Sequence, residues 1–239
     1  MGSKNRIAKH LLPIMLENRN GRTWVEPFVG GANMIDKVDG RRIGADFNEY
    51  LIAMWKELQN GWTPPDFVSE DNWRDVKTQM ESKFEKHYIA FVRLGCSFGA
   101  DWNGGYARNV RKDKPNAELL NSTTKSYCGQ SKRNILKQLP KLKGVEFLNS
   151  SYQDLEIPIN SLIYCDPPYE GATKYKDDFN HVDFWEWCRT KAKQGHLVYV
   201  SEYNAPNDFE CVYSSEINNT LNNTAKTTKA TEKLFVYCG

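Results

Sequence analysis

Leu162-Ile163-Tyr164-Cys165 is an apolar run that leads straight into Asp166-Pro167-Pro168-Tyr169. A buried strand in front of that tetrapeptide would place a carboxylate at the carboxyl end of a sheet, where open α/β sheets bind ligands. Two consecutive prolines fix φ and stiffen the turn, so the carbonyls of Asp166 and Pro167 point in set directions. The ring of Tyr169 follows at once and could stack on a planar ligand. An exocyclic amino group has two N–H donors. A carboxylate and a backbone carbonyl together satisfy both and leave the nitrogen lone pair available for attack. The pattern therefore suits transfer to an amino group. The bland alternative is a surface turn, but an acid, two prolines and an aromatic ring directly after a buried strand are an uncommon turn.

Other elements must hold these residues in place. Ile7, Leu11, Ile14 and Met15 recur at helical spacing and predict a first amphipathic helix. Residues 23–28 are short and β-prone and end in Gly30-Gly31, and residues 41–45 form a second strand candidate ending at Asp46. Residues 51–58 again have apolar positions at helical spacing. Strand, glycine turn, helix, strand and acid in this order read as the nucleotide-type half of an α/β domain. Gly61-Trp62-Thr63-Pro64-Pro65 breaks the rhythm. Helical segments are expected at 72–86, 88–94 and 131–139, with a hairpin or ordered loop at 95–105. Strands follow at 145–148, 162–165, 196–200 and 234–237, and a helix at 184–193. Strands alternating with helices imply a mostly parallel sheet covered on both faces.

Charge is distributed unevenly. The chain carries 32 Lys and Arg against 30 Asp and Glu, yet residues 72–144 hold 15 basic and only 6 acidic residues. Trp73, Phe98, Trp102, Asn103, Tyr106, Asn109 and Tyr127 are interleaved with those charges, which favours a nucleic-acid surface over a merely solvated face. Six cysteines stand at 96, 128, 165, 188, 211 and 238, none within four residues of another, so no zinc site is expected. Cys165 reads as strand packing rather than as a nucleophile. No stretch approaches the roughly 18 unbroken apolar residues of a membrane span, and a secretory signal is not expected, because the first residues carry charge without an apolar run. The expected location is the cytoplasm.

The motifs resemble a known family. Asp166-Pro-Pro-Tyr169 looks like the catalytic motif of amino-methyltransferases. Val25-Glu-Pro-Phe-Val-Gly-Gly31 is similar to the cofactor motif of the Dam-type (D12 class) DNA adenine-N6 methyltransferases, which typically reads Glu-Pro-Phe-x-Gly-Gly-Gly; Ala32 stands where the third glycine is usual. Asp46 matches the acid that holds the ribose hydroxyls, and Gly2-Ser3-Lys4 resembles an N-terminal Gly-Gly-Lys element. Residues 169–175 resemble the loop over the flipped base, residues 198–203 the strand that follows, and Glu232-Lys-Leu-Phe235 the closing strand. Trp102-Asn-Gly-Gly-Tyr-Ala-Arg108 resembles part of a DNA-contacting hairpin. Its companion stretch in readers of GATC, Phe-Asn-Val-Pro-Phe-Gly, is absent, which puts a GATC target in doubt.

The resemblance implies an α/β fold: a Rossmann-like methyltransferase sheet with helices on both faces, interrupted by a mainly helical DNA-recognition insert. The catalytic domain would comprise 1–60 and 131–239, and the insert 61–130. The implied cofactor is S-adenosylmethionine, leaving as S-adenosylhomocysteine, with no metal. The implied reaction is site-specific methylation of the N6 amino group of adenine in double-stranded DNA by base flipping. Asp166, Pro167 and Tyr169 would be catalytic; Lys4, Phe28, Gly30, Gly31, Asp46 and Asp166 would bind the cofactor. Pro168 and Tyr175 would contact the target base, and Asn103, Arg108, Arg111 and Lys112 the DNA. A monomer, or a weak dimer on DNA, is expected. RNA or protein amino-methylation, or an inactive DNA-binding regulator on the same scaffold, are the alternatives. A compact solitary enzyme of this kind suits a phage or mobile element, which would put it in the host cytoplasm.

Overall fold

The computed structural model describes residues 4–108, 126–171, 179–218 and 229–239. Seven strands form one sheet: β1 (Trp24–Glu26), β2 (Arg42–Asp46), β3 (Val145–Asn149), β4 (Leu162–Cys165), β5 (Leu197–Glu202), β6 (Phe209–Asn218) and β7 (Lys229–Tyr237), in the order β3-β2-β1-β4-β5-β7-β6. β1 pairs in parallel with β2 and β4, and β4 with β5. Every residue of β1 and β4 is buried. Such unbroken burial is what a parallel strand covered on both faces requires, and it explains why residues 162–165 read as an apolar run.

β7 runs antiparallel to both β5 and β6. The expected strand at 234–237 thus extends back to Lys229, and β6 was not expected at all. The reason is physical: β6 is the sheet's edge, pairs on one side only, and carries Glu210, Ser214, Ser215 and Glu216 rather than an apolar run. A bulge between Cys211 and Tyr213 further breaks its alternation.

The chain divides into two compact units, Lys4–Ala45 with Ser150–Gly239, and Asp46–Asn149. In the former, α1 (Ala8–Glu17) buries Ala8, Leu11, Leu12 and Met15, the stripe its spacing predicts. At the other helix of this unit, α6 (His181–Lys193), the Asn180 side chain accepts from the N–H groups of Val182 (3.0 Å) and Asp183 (3.2 Å). This satisfies two of the helix's orphan donors. α6 buries Phe184, Trp185 and Cys188.

The second unit is mainly helical. It contains α2 (Glu49–Gln59), α3 (Glu70–Gln79), α4 (Lys86–Ala90) running into a π turn at Phe91–Gly95, and α5 (Tyr127–Gln138). Asn48, Ser69 and Ser126 cap α2, α3 and α5 through their side chains. This unit is wider at both ends than residues 61–130. α2 packs against α4, and the Gln59 amide donates to the carbonyls of Leu142 and Val145, each at 3.0 Å. The expected turn at 95–105 is closed by an antiparallel bridge between Ser97 and Tyr106.

The glycine turn after β1 has left-handed φ at Gly30 (47°) and at Ala32 (54°). Alanine in that region costs about 1–2 kcal/mol. The Ala32 methyl is fully buried, which offsets about 0.8 kcal/mol of that cost, and glycine would add unfolded-state entropy. Ala32→Gly is therefore expected to change the unfolding free energy by no more than about 1 kcal/mol, measured by urea denaturation.

Candidate active site

Four strands end on or just before an acid: β1 on Glu26, β2 on Asp46, β4 just before Asp166 and β5 on Glu202. Within the first unit, the Asp166 carboxylate receives Lys4, whose Nζ lies 3.1 Å from Asp166 Oδ1 and 3.2 Å from Glu232 Oε2. Lys4 also donates to the Tyr169 hydroxyl (2.6 Å), which in turn donates to Glu232 Oε2 (2.9 Å). Lys4 is 8% exposed, whereas the Asp166 side chain keeps 22% of its accessibility, so the acid has an open side for a ligand. Tyr203 sets its ring edge-on to Tyr169, with centroids 4.7 Å apart. Glu202 accepts the backbone N–H of Tyr203 (2.7 Å) and of Glu170 (3.1 Å), tying the end of β5 to the residue after Tyr169.

So many carboxylates perturb one another. Burial lifts the Glu26 pKa to about 8; the Trp24 indole N–H, 2.8 Å from Oε1, works against this, while the charge of Asp166 reinforces it. Burial likewise lifts Glu202 to about 7, against its two backbone donors and with help from Glu170 and Asp166. Burial raises Asp166 above the ordinary aspartate value; Lys4 offsets part of that rise and Glu232 adds to it. For Lys4, burial disfavours the charge, but Asp166 and Glu232 outweigh it and hold its pKa above the usual lysine value.

This arrangement places a partly open acid, paired with Lys4, beside a tyrosine at a sheet's carboxyl edge. The family model for the D12 class N6 adenine-specific DNA methyltransferases matches residues 1–234. The chain belongs to that family. No curated protein sequence matches it. Among solved structures it is similar to a proposed methylase from Haemophilus influenzae, at 9% identity and TM-score 0.40, covering 100% of this chain and 92% of that one. It is also similar to a proposed RNA methyltransferase from Pyrococcus horikoshii, at 9% identity and TM-score 0.44, covering 97% and 84%. Likenesses this weak add no argument to the family match.

As a D12 methyltransferase the chain uses S-adenosylmethionine, and its residues fit that cofactor. The ligand carries a sulfonium and an ammonium against one carboxylate, hence a net positive charge. Asp166 and Glu232 set two acids against the single charge of Lys4, an excess that favours such a cation. The turn after β1 is also suited to close backbone approach, because Gly30, with φ 47°, and Gly31 carry no side chain there.

The remaining expected residues fall in different surroundings. Pro167 is buried and Pro168 half-buried in the turn. The ring of Phe28 packs among Tyr152, Phe179 and Phe184, with centroids 5.5–5.8 Å away, so its main contacts are with core aromatics. Asp46 lies in the helical unit, where its carboxylate accepts the Asn48 N–H at 2.9 Å. Asn103 is exposed, and Arg108 is paired with Glu70 through its Nη2 and through Nε at 3.1 Å. Tyr175, Arg111 and Lys112 lie outside the described residues.

Glu26, Glu202, Tyr203 and Glu232 were not assigned roles from sequence, nor was Phe47, which follows Asp46 and is 82% exposed. The available signals were an acid set among apolar strand residues, and an aromatic ring beside a ligand-type acid. The described residues contain no group of His, Cys, Asp and Glu able to hold a metal, and no helix long and apolar enough to cross a membrane.

Proposed function

We propose that the chain methylates the exocyclic N6 amino group of adenine within a specific sequence of double-stranded DNA, acting on a base flipped out of the helix. The observation that carries this reading is the Asp166 carboxylate, held by Lys4, partly open, and set in a stiff turn with Tyr169. Lys4, Gly30, Gly31, Asp46 and Phe28 are the residues proposed to hold the cofactor. When bound, S-adenosylmethionine supplies a methyl group on a positively charged sulfur.

Asp166 and the Pro167 carbonyl accept the two N–H bonds of the amino group, so its lone pair points at that methyl. As the nitrogen takes the methyl and the carbon–sulfur bond breaks, positive charge would move from sulfur to nitrogen, where Asp166 stabilises it until a proton leaves the nitrogen for water. Pro168 and Tyr169, with Tyr175, confine the flat ring. Flipping is required because a stacked, paired amino group cannot be reached. Asn103, Arg108, Arg111 and Lys112 are proposed to hold the duplex; a phosphate or base edge would compete with Glu70 for the Arg108 guanidinium. The proposed active form is a monomer, or a weak dimer on DNA, in the cytoplasm.

Incubation with S-adenosylmethionine tritiated on the methyl, in the presence of unmethylated duplex DNA, RNA and protein, tests this. Label is expected in N6-methyladenine of DNA, at a fixed sequence context. Label confined to RNA or protein would sink the reading.

A further inference from the structure

We propose that Glu232 is a positioning residue that clamps both ends of the Asp166–Tyr169 turn, holding the first through Lys4 and the last directly. This rests on the reading of that turn as the methyl-transfer motif. The clamp is a closed ring of contacts. Glu232 Oε2 lies 3.2 Å from Lys4 Nζ and accepts the Tyr169 hydroxyl at 2.9 Å. Lys4 Nζ lies 3.1 Å from Asp166 Oδ1 and donates to the same hydroxyl at 2.6 Å.

Glu232 comes from β7, whose register with β5 pairs Lys233 with Glu202. A rigid antiparallel ladder therefore carries the clamp to the edge where the turn emerges. It is 9% exposed, so little water competes for its oxygens.

The clamp also divides one cation between two acids. The substrate amino group must compete with Lys4 for Asp166. A second anion on Lys4 keeps the ammonium from closing wholly onto Asp166, and it keeps Tyr169 in place while Asp166 exchanges partners. Glu232 thereby acts on the reacting group through its neighbours.

Glu232→Gln keeps the shape and removes the charge. Asp166 faces Lys4 from the N-terminal segment, Glu232 from β7 and Tyr169 from its own turn; Glu26, Tyr164 and Glu202 act on it from β1, β4 and β5. Glu232 is one of the charges that raise the Asp166 pKa, so its loss moves the acid limb of the kcat profile to lower pH. The expected result is a kcat lower by roughly 10- to 100-fold together with that shift of the limb. Tyr169→Phe, which removes the other arm, should give a loss that is not additive with Glu232→Gln in the double variant.

Two outcomes overturn the clamp while the parent remains active on DNA adenine. One is an unchanged kcat and acid limb. The other is an equal loss at every pH with additive losses and a lowered melting temperature, which assigns Glu232 to stability alone. A parent that methylates no DNA adenine overturns the reading beneath it.

Discussion

Asp166→Asn is expected to lower kcat by about 10³-fold, roughly 4 kcal/mol of transition-state stabilisation, while the protein stays folded. The argument turns on charge rather than shape. An asparagine side chain still offers an oxygen that can accept one N–H, so the target base can enter. It has no negative charge to set against the positive charge that moves from sulfur to nitrogen, and its own N–H₂ competes for the space of an acceptor. The effect belongs in kcat, because the interaction is strongest when the new bond forms.

Stability should not suffer. Burial already raises the Asp166 pKa, so the ionised side chain is not at ease in this site, and Lys4 retains Glu232 as a partner when the charge is gone. Single-turnover transfer of labelled methyl, paired with thermal melting by circular dichroism, separates the two effects. A variant with parental kcat would remove Asp166 from the chemistry. A variant with a collapsed melting temperature would make its role structural.

The contrast between Asp166 and Glu232 shows which parts of the site were legible in the sequence. Asp166, the prolines and Tyr169 are neighbours in the chain, and the buried β4 before them is a plain apolar run. The local pattern therefore carries both the strand and the turn. The same holds for Gly30-Gly31 after β1 and for Asp46 after β2, where a special backbone or a terminal acid follows a short buried strand.

Glu232 and Lys4 come from opposite ends of the chain, and only the antiparallel return of β7 beside β5 brings Glu232 to the turn. That return needs β7 to be longer than its apolar stretch, and β6 to add at the edge with scarcely any apolar pattern. Phe28, expected from its motif to meet the cofactor, also has its ring packed in the aromatic cluster around Phe184, a surrounding that the motif does not reveal. Arg108, expected to contact DNA, is paired with Glu70, a partner that its spacing does not reveal. Sequence spacing gives the residue type at a site but not its partner.

Glu26→Gln is expected to stabilise the protein at alkaline pH by on the order of 3–5 kcal/mol, and to leave stability nearly unchanged at pH 4. Glu26 is 3% exposed, and its ordinary pKa of 4.5 is lifted to about 8 in the folded chain. At pH 4 the side chain is mostly protonated in both states, so glutamine differs little from it. As the pH rises past 4.5 the unfolded chain releases the proton, while the folded chain keeps it until about pH 8. Throughout that window the folded state binds more protons, so each step upward in pH favours unfolding.

Glutamine removes this loss while its carbonyl can still accept the Trp24 indole N–H that Glu26 Oε1 accepts at 2.8 Å. Glu202, with its pKa raised to about 7, contributes a slope of the same sign. The variant should therefore flatten the decline of stability with pH without abolishing it. Urea denaturation at intervals from pH 4 to pH 9 reads the difference directly. Parallel curves for parent and variant would mean that Glu26 is ionised in the folded state. The buried acid at the end of β1 would then carry a full charge beside Asp166 and need a cation held against it.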